Sequence, residues 1–223
     1  MPKIIGFDGS PFEGGTTSKI LANALKGAES IGAETKTIRL KDIITEPFHG
    51  IINPVMLKKA NLYLALPEQL KKLVPQQVTA ATTDHLIPGP ILRVIEEMES
   101  ADGFIIATPT WWGMPSDHVK VLLNFLTMEE YRGWRLQGKV AGFMAVCEED
   151  GGMQNCMLMA NMLNHAGVFV PPYCMFFCNK GIEHKDSETA WAEKDQELIG
   201  RNVTRLAKIL AAADSSIARW GYK

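Results

Sequence analysis

Short apolar runs that stop at glycine or proline alternate along this chain with segments whose apolar residues recur three and four apart. Lys3-Ile4-Ile5-Gly6-Phe7-Asp8, ended by Gly9-Ser10-Pro11, predicts a buried strand followed by a loop. After Gly14-Gly15, apolar positions at Ile20, Leu21, Ala24, Leu25 and Ala28 mark one face of a helix that opens on Thr16-Thr17-Ser18. Residues 33–40 alternate as a second strand, and Ile91, Leu92, Ile95 and Met98 form the next helical stripe, introduced by Pro88-Gly89-Pro90. A third strand, Phe104-Ile105-Ile106-Ala107, is expected to be cut off by Pro109, and a helix carrying Val119, Leu122, Leu123 and Leu126 follows it. Residues 139–146 make a fourth strand, Met153 to His165 a helix with Gly167 just beyond it, and either 168–170 or 175–177 a fifth strand. Asp186 or Ser187 can cap a last helix whose stripe is Trp191, Leu198, Val203, Leu206 and Leu210. Five strands alternating with helices predict one α/β domain over 1–223, a doubly wound five-stranded parallel sheet with helices on both faces.

One stretch breaks the alternation. About 48 residues separate the second strand from the helix at Ile91, against roughly 2–6 in an ordinary connection. This insertion, at about 41–88, is expected to hold a short helix over 67–74 and to serve either as a lid or oligomer contact or as a variable excursion.

Composition narrows the class of function. The 223 residues are 46% hydrophobic and 22% charged, with a net charge of −2 and a pI near 6.2. Lys and Arg are scattered, leaving no basic footprint for nucleic acid, and no apolar run approaches the roughly 18 residues of a membrane span. The N-terminus enters a strand pattern directly, without the layout of a secretory signal, so a cytoplasmic location is expected. Four cysteines, Cys147, Cys156, Cys174 and Cys178, have neither zinc-knuckle nor redox-pair spacing and read as buried free thiols.

In a doubly wound sheet the ligand lies outside the strand carboxyl ends, where strand order reverses. The loop after the first strand joins small residues and hydroxyls to a helix N-terminus, which is how backbone N–H groups and Ser or Thr hydroxyls hold a phosphate without lysine. It fits neither the dinucleotide fingerprint nor the Walker loop, and an ordinary capped turn would look similar. The loop after the third strand places Trp111 beside Trp112, costly to expose unless a flat aromatic ligand, a core or a subunit interface covers them. The loop after the fourth strand, 147–152, adds backbone N–H groups and acidic acceptors. No Ser/His/Asp or Cys/His constellation is present, so no catalytic side chain is assigned; His118 and His165 lie in helical stripes as packed or surface residues.

Gly9-Ser10-Pro11 with Gly15-Thr16-Thr17-Ser18, then Ala101-Asp102-Gly103, Thr108-Pro109-Thr110-Trp111-Trp112-Gly113-Met114-Pro115, Leu136-Gln137-Gly138-Lys139 and Gly151-Gly152 together resemble the NADPH-dependent FMN reductases, including the iron–sulfur flavoprotein branch. The resemblance implies a flavodoxin-like fold with strand order 2-1-3-4-5 and FMN as cofactor. It implies Ser10, Thr16, Thr17 and Ser18 at the phosphate, and Pro109, Thr110, Trp111, Trp112, Gly113 and Met114 at the isoalloxazine ring. Glu148, Asp150, Gly151 and Gly152 fall at the ring's polar edge or the ribityl chain. The chain departs from the family pattern in having Phe12 where Arg is usual after Ser-Pro, and Trp112 where Tyr is common. It also has no cysteine in 46–54, where the iron–sulfur branch carries a cluster that needs thiolates. The expected activity is an oxidoreductase taking hydride from NADH or NADPH and passing electrons to a small-molecule acceptor such as a quinone, flavin or nitro compound. The alternative is a non-enzymatic electron carrier or redox sensor, against which a charge of only −2 argues. The inserted segment, Trp134 and Trp220-Gly221-Tyr222 predict a homodimer or homotetramer, as does the family's habit.

Overall fold

The structure, a computed structural model, describes residues 1–48, 67, 69, 84, 87–180 and 190–213; of Glu130 and Tyr131 it describes the backbone. Its strands are β1 (Lys3–Asp8), β2 (Glu34–Arg39), β3 (Gly103–Trp111), β4 (Met114–Pro115), β5 (Val140–Cys147) and β6 (Met175–Asn179). Its α-helices are α1 (Thr16–Glu29), α2 (Gly89–Ser100), α3 (Asp117–Phe125), α4 (Glu129–Arg132), α5 (Gly152–His165) and α6 (Ala190–Ala212). The parallel ladder runs β2-β1-β3-β5-β6, and β4 pairs antiparallel with β3. Leaving out the two-residue β4, this is the order 2-1-3-4-5 of the flavodoxin-like fold.

Near-continuous apolar runs build the middle of the sheet, because a parallel strand covered on both faces has no solvent side. β5 is buried along its whole length. Ile5, Phe7, Phe104, Ile106 and Phe143 face α2, α3 and α5, while Ile4, Ile105, Met144 and Val146 face α1 and α6. Of the short helix expected over 67–74, Pro67 and Gln69 alone are described, Gln69 in helical conformation, and the caps expected at Asp186 or Ser187 lie outside the described residues.

Two expectations need correction, and one pair of alternatives is decided. Pro109 does not end the third strand, which continues to Trp111. Ala107 directs its carbonyl toward β1, where it accepts from Gly9 N at 2.8 Å. Pro109, two residues on, therefore turns its missing N–H toward the same side but beyond the end of β1, where no ladder bond is lost. The fifth strand is Met175–Asn179, and residues 168–170 contribute a single bridge, Val140 with Phe169. On the last helix Val203 is buried and Leu206 and Leu210 pack against the core as expected, but the rest of the buried face is Ala192, Gln196, Ile199, Gly200, Thr204 and Ala207, whereas Trp191 is 57% exposed. The first turns are rotated because α6 packs on α1 through glycine: a Cβ at Gly27 would meet the Glu197 carbonyl, and one at Gly200 the Ala24 carbonyl.

Candidate functional site

A cleft of about 640 Å³ opens at the carboxyl ends of β1, β3 and β5. Three loops form it, and each is held by bonds that follow from its sequence.

The first loop hangs on Asp8, the buried last residue of β1. Its Oδ1 accepts from Ser10 N at 2.9 Å and its Oδ2 from the Ser18 hydroxyl at 2.6 Å, so one carboxylate ties both ends of the loop together. Ser10 Oγ in turn accepts from Phe12 N at 3.1 Å, and the side chain of Phe12 is 70% exposed. No side chain caps α1 and no acid lies in its first turn. The first-turn amides of Thr16, Thr17 and Ser18 thus retain their donor capacity at the positive end of a fourteen-residue helix.

The second loop is a hairpin turn. Thr110 faces Pro115 and Trp111 faces Met114, leaving Trp112 and Gly113 at the tip with φ of 50° and 72°. Two central residues with positive φ are the type I′ geometry that suits a two-residue hairpin. Gly113 takes this conformation freely, whereas Trp112 is a bulky residue held in the left-handed region. Neither indole enters the core: Trp111 is 45% exposed and Trp112 fully exposed. Ser116, which caps α3, donates from Oγ to Gly9 O at 2.7 Å and so couples this loop to the first.

The third loop, 148–151, leans on the hairpin. Gly151 has φ of 81°, and a Cβ there would lie 3.0 Å from both Gly113 Cα and Thr110 Cγ2. Asn155, on the first turns of α5, donates from Nδ2 to Thr110 Oγ1 at 2.9 Å. Lys180 N donates to Cys147 O at 2.7 Å and Asn179 Nδ2 to Glu149 O, which hold the end of β6 beside the same loop.

Of the expected site residues, Ser10, Thr16, Thr17, Pro109, Thr110, Trp111, Trp112, Gly113, Glu148 and Asp150 line the cleft. Ser18, Met114, Gly151 and Gly152 do not. The Ser18 hydroxyl goes to Asp8, Met114 pairs with Trp111 on the hairpin, and Gly151 and Gly152 begin α5. Phe12, Gly15, Val146, Cys147, Glu149 and Lys180 also line it. Asp8, Ser116 and Asn155 act behind the cleft and were legible only as polar residues at loop ends. Among the described residues no three His, Cys, Asp or Glu converge on a metal position, and the four cysteines are free and buried. Burial pushes the thiols of Cys156 and Cys174 up to about 12. No helix among the described residues is long and apolar enough to cross a membrane.

An iron–sulfur flavoprotein from Methanosarcina thermophila is 24% identical over 156 residues, covering 69% of this chain and 65% of that protein. A probable NAD(P)H dehydrogenase (quinone) of Arabidopsis thaliana is 30% identical over 116 residues, 51% of this chain and 41% of that one. The chain thus spans just under two-thirds of the first relative and less than half of the second. Among solved structures, RosB with a bound 8-demethyl-8-formylriboflavin-5′-phosphate intermediate superposes with a TM-score of 0.67 at 20% identity, covering 95% of this chain and 81% of RosB. The model of the NADPH-dependent FMN reductase family matches residues 2–183, and the chain belongs to that family.

Proposed function

We propose that the protein is an NAD(P)H-dependent FMN oxidoreductase that binds FMN across the three loops. The observation that carries this reading is the uncapped N-terminus of α1 facing a cleft whose other wall is a pair of exposed tryptophans. Free amides at a helix N-terminus suit a phosphate. A Cβ at Gly14 would have nothing within 4 Å and one at Gly15 only Ser10 Oγ, at 3.8 Å, so the loop leaves room there. The donor set therefore fits FMN, with Ser10, Thr16 and Thr17 and the first-turn amides at the phosphate. Pro109, Thr110, Trp111, Trp112 and Gly113 would hold the ring, and Glu148 and Asp150 its polar edge or the ribityl chain.

Bound FMN supplies the hydride and electron chemistry. The protein positions it. Asp8 fixes the phosphate loop, Asn155 keeps the Thr110 hydroxyl from swinging, and the contact of Gly151 with Gly113 sets the spacing of the two loops that flank the ring. The open side of the cleft, walled by exposed aromatic residues, admits a flat second substrate: the nicotinamide, then a quinone, flavin or nitro acceptor. The exposed Phe12, Trp112 and Met114 beside it, with Met157 and Tyr173 elsewhere, support a homo-oligomer. Trp134, expected to add to that surface, is instead half-buried with its ring edge-on to His165 at 6.0 Å, and Trp220 and Tyr222 lie outside the described residues.

The direct test is to purify the protein, record its visible spectrum, and add NADH or NADPH anaerobically with no partner protein. A yellow protein bleached by either nucleotide supports an enzyme. Yellow colour that neither bleaches indicates a carrier, and failure of the apoprotein to take up added FMN refutes the reading. Light scattering that returned a mass near 24.7 kDa would refute the oligomer.

A further inference from the structure

Lys180 is a cation with no ion-pair partner among the described residues, in a cleft walled by carboxylates. It lines the cavity with Glu148, Glu149 and Asp150, yet its one hydrogen bond is the main-chain bond to Cys147 O, and its ammonium is bound to no carboxylate among the described residues. A lysine set among three acids, with no described carboxylate bound to it, is available to an anion that arrives with the ligand.

The fold decides which anion. Strands in a sheet lie about 4.8 Å apart, and Lys180 extends β6, three strands from β1 along β1-β3-β5-β6. That places its backbone roughly 14 Å from the strand that carries the phosphate loop, farther than a four-carbon stem can reach. The charge it meets belongs to the other end of the ligand, over β3 and β5.

Resting on the FMN site proposed above, we infer that Lys180 is a potential-setting residue, which holds the negative charge that the flavin ring acquires on reduction. Hydride transfer from NAD(P)H breaks the C4–H bond of the nicotinamide and forms N5–H on the ring. Two electrons and one proton move, NAD(P)⁺ leaves, and the flavin keeps one net negative charge. Glu148, Glu149 and Asp150 oppose that charge, and Lys180 is the cation among the described cleft residues that offsets them. Oxidised FMN has a neutral ring, so Lys180 discriminates between the two redox states and not between FMN and no ligand.

The experiment measures the two-electron midpoint potential of bound FMN by equilibration with a reference dye, and the dissociation constant of oxidised FMN by titration of the apoprotein. The proteins compared are wild type, Lys180→Met and Lys180→Arg. Reduced FMN is expected to bind about tenfold more weakly to Lys180→Met, a fall in potential of about 30 mV for a two-electron couple. Oxidised FMN should bind within about twofold of wild type, and Lys180→Arg should keep the wild-type potential. An unmoved potential in Lys180→Met, an equal loss of oxidised and reduced FMN, or a Lys180→Arg shift as large as that of Lys180→Met would each overturn the inference. Failure of wild-type apoprotein to bind FMN would instead sink the site reading beneath it, and that is read in the first titration.

Discussion

The Ser18 hydroxyl donates to Asp8 Oδ2 at 2.6 Å, so a side chain in the phosphate-loop signature acts inside the protein while its neighbour Thr17 lines the cleft. The two positions should therefore separate. Ser18→Ala removes a hydrogen bond to a buried carboxylate and is expected to cost the apoprotein about 1.5–3 kcal/mol. Thr17→Ala combined with Ser10→Ala should leave the apoprotein folded and weaken FMN relative to riboflavin, which lacks the phosphate. Thermal melts of the apo forms and paired titrations decide this; a double variant that still prefers FMN as strongly as wild type places the phosphate elsewhere.

A second prediction concerns the contact of α1 with α6. Gly200 has no room for a Cβ because the Ala24 carbonyl occupies it, and Gly27 stands likewise against the Glu197 carbonyl. Both obstacles are backbone, which cannot rotate away. Gly200→Ala must separate the helices and is expected to cost at least about 3 kcal/mol, at the upper end of overpacking. Gly32→Ala, where the only atom near the added Cβ is Lys208 Nζ at 3.8 Å, tests left-handed backbone strain alone and should cost about 1–2 kcal/mol. Equal losses in urea melts would show that the helices can move apart.

The same helix pair shows where sequence reading stops. Apolar residues identify α6 and place Val203 in the core, but the small residues Ala192, Gly200 and Ala207 share that face with Ile199, so a stripe begun at Trp191 misses part of it. A parallel sheet follows from the alternating elements, its strand order comes with the family resemblance, and ten of the fourteen expected residues line the cleft. The others, such as Ser18, depend on which polar group wins a local competition. Asp8 left a signal, a carboxylate closing an apolar run beside hydroxyls, since a buried charge needs such partners. Lys180 left none: its place in the cleft comes from the register of β6 on β5.

A buried acid near the opposite end of the sheet predicts how stability varies with pH. Glu129 is fully buried, and its pKa is pushed up to about 7, first by burial and then by the charge of Glu99. Burial also raises Glu99. The backbone N–H groups of Leu136 and Arg135 and the charge of Arg135 oppose this, while Arg132, with Nε 3.5 Å from Glu129, is shared with Glu99 and Asp84. An acid that titrates higher folded than unfolded binds its proton more tightly when folded, so its stabilising effect is complete below pH about 4.3 and is lost as pH rises to about 7. The span is on the order of 3 kcal/mol. Glu97 works oppositely: hydrogen bonds from Lys36 and Lys3 lower its pKa, so its smaller, partly exposed contribution disappears in acid. Glu129→Gln should flatten the decline in stability between pH 5 and 7, and an unchanged slope in denaturant melts would mean that Glu129 is already ionised across that range.

The sharpest prediction comes from Trp112, fully exposed on the hairpin tip with φ of 50°. A buried Trp cut to Ala costs about 3–5 kcal/mol, but this indole shields nothing in the core and its backbone conformation is one that glycine adopts more easily. Trp112→Gly should therefore leave apo stability within about 1 kcal/mol of wild type, relief of strain offsetting the added freedom of the unfolded chain. FMN affinity should behave differently. If the indole covers the ring, its loss removes a stacking or edge contact worth about 0.5–1.5 kcal/mol beyond the area buried, so FMN should bind roughly tenfold more weakly and any residual flavin emission should rise. Trp111→Ala, at a half-exposed position, is expected to lose both affinity and some stability. Thermal midpoints of the apo forms, read beside FMN titrations for each variant, separate ligand contact from structural role. If Trp112→Gly binds FMN as tightly and quenches it as fully as wild type, the hairpin does not cover the ring.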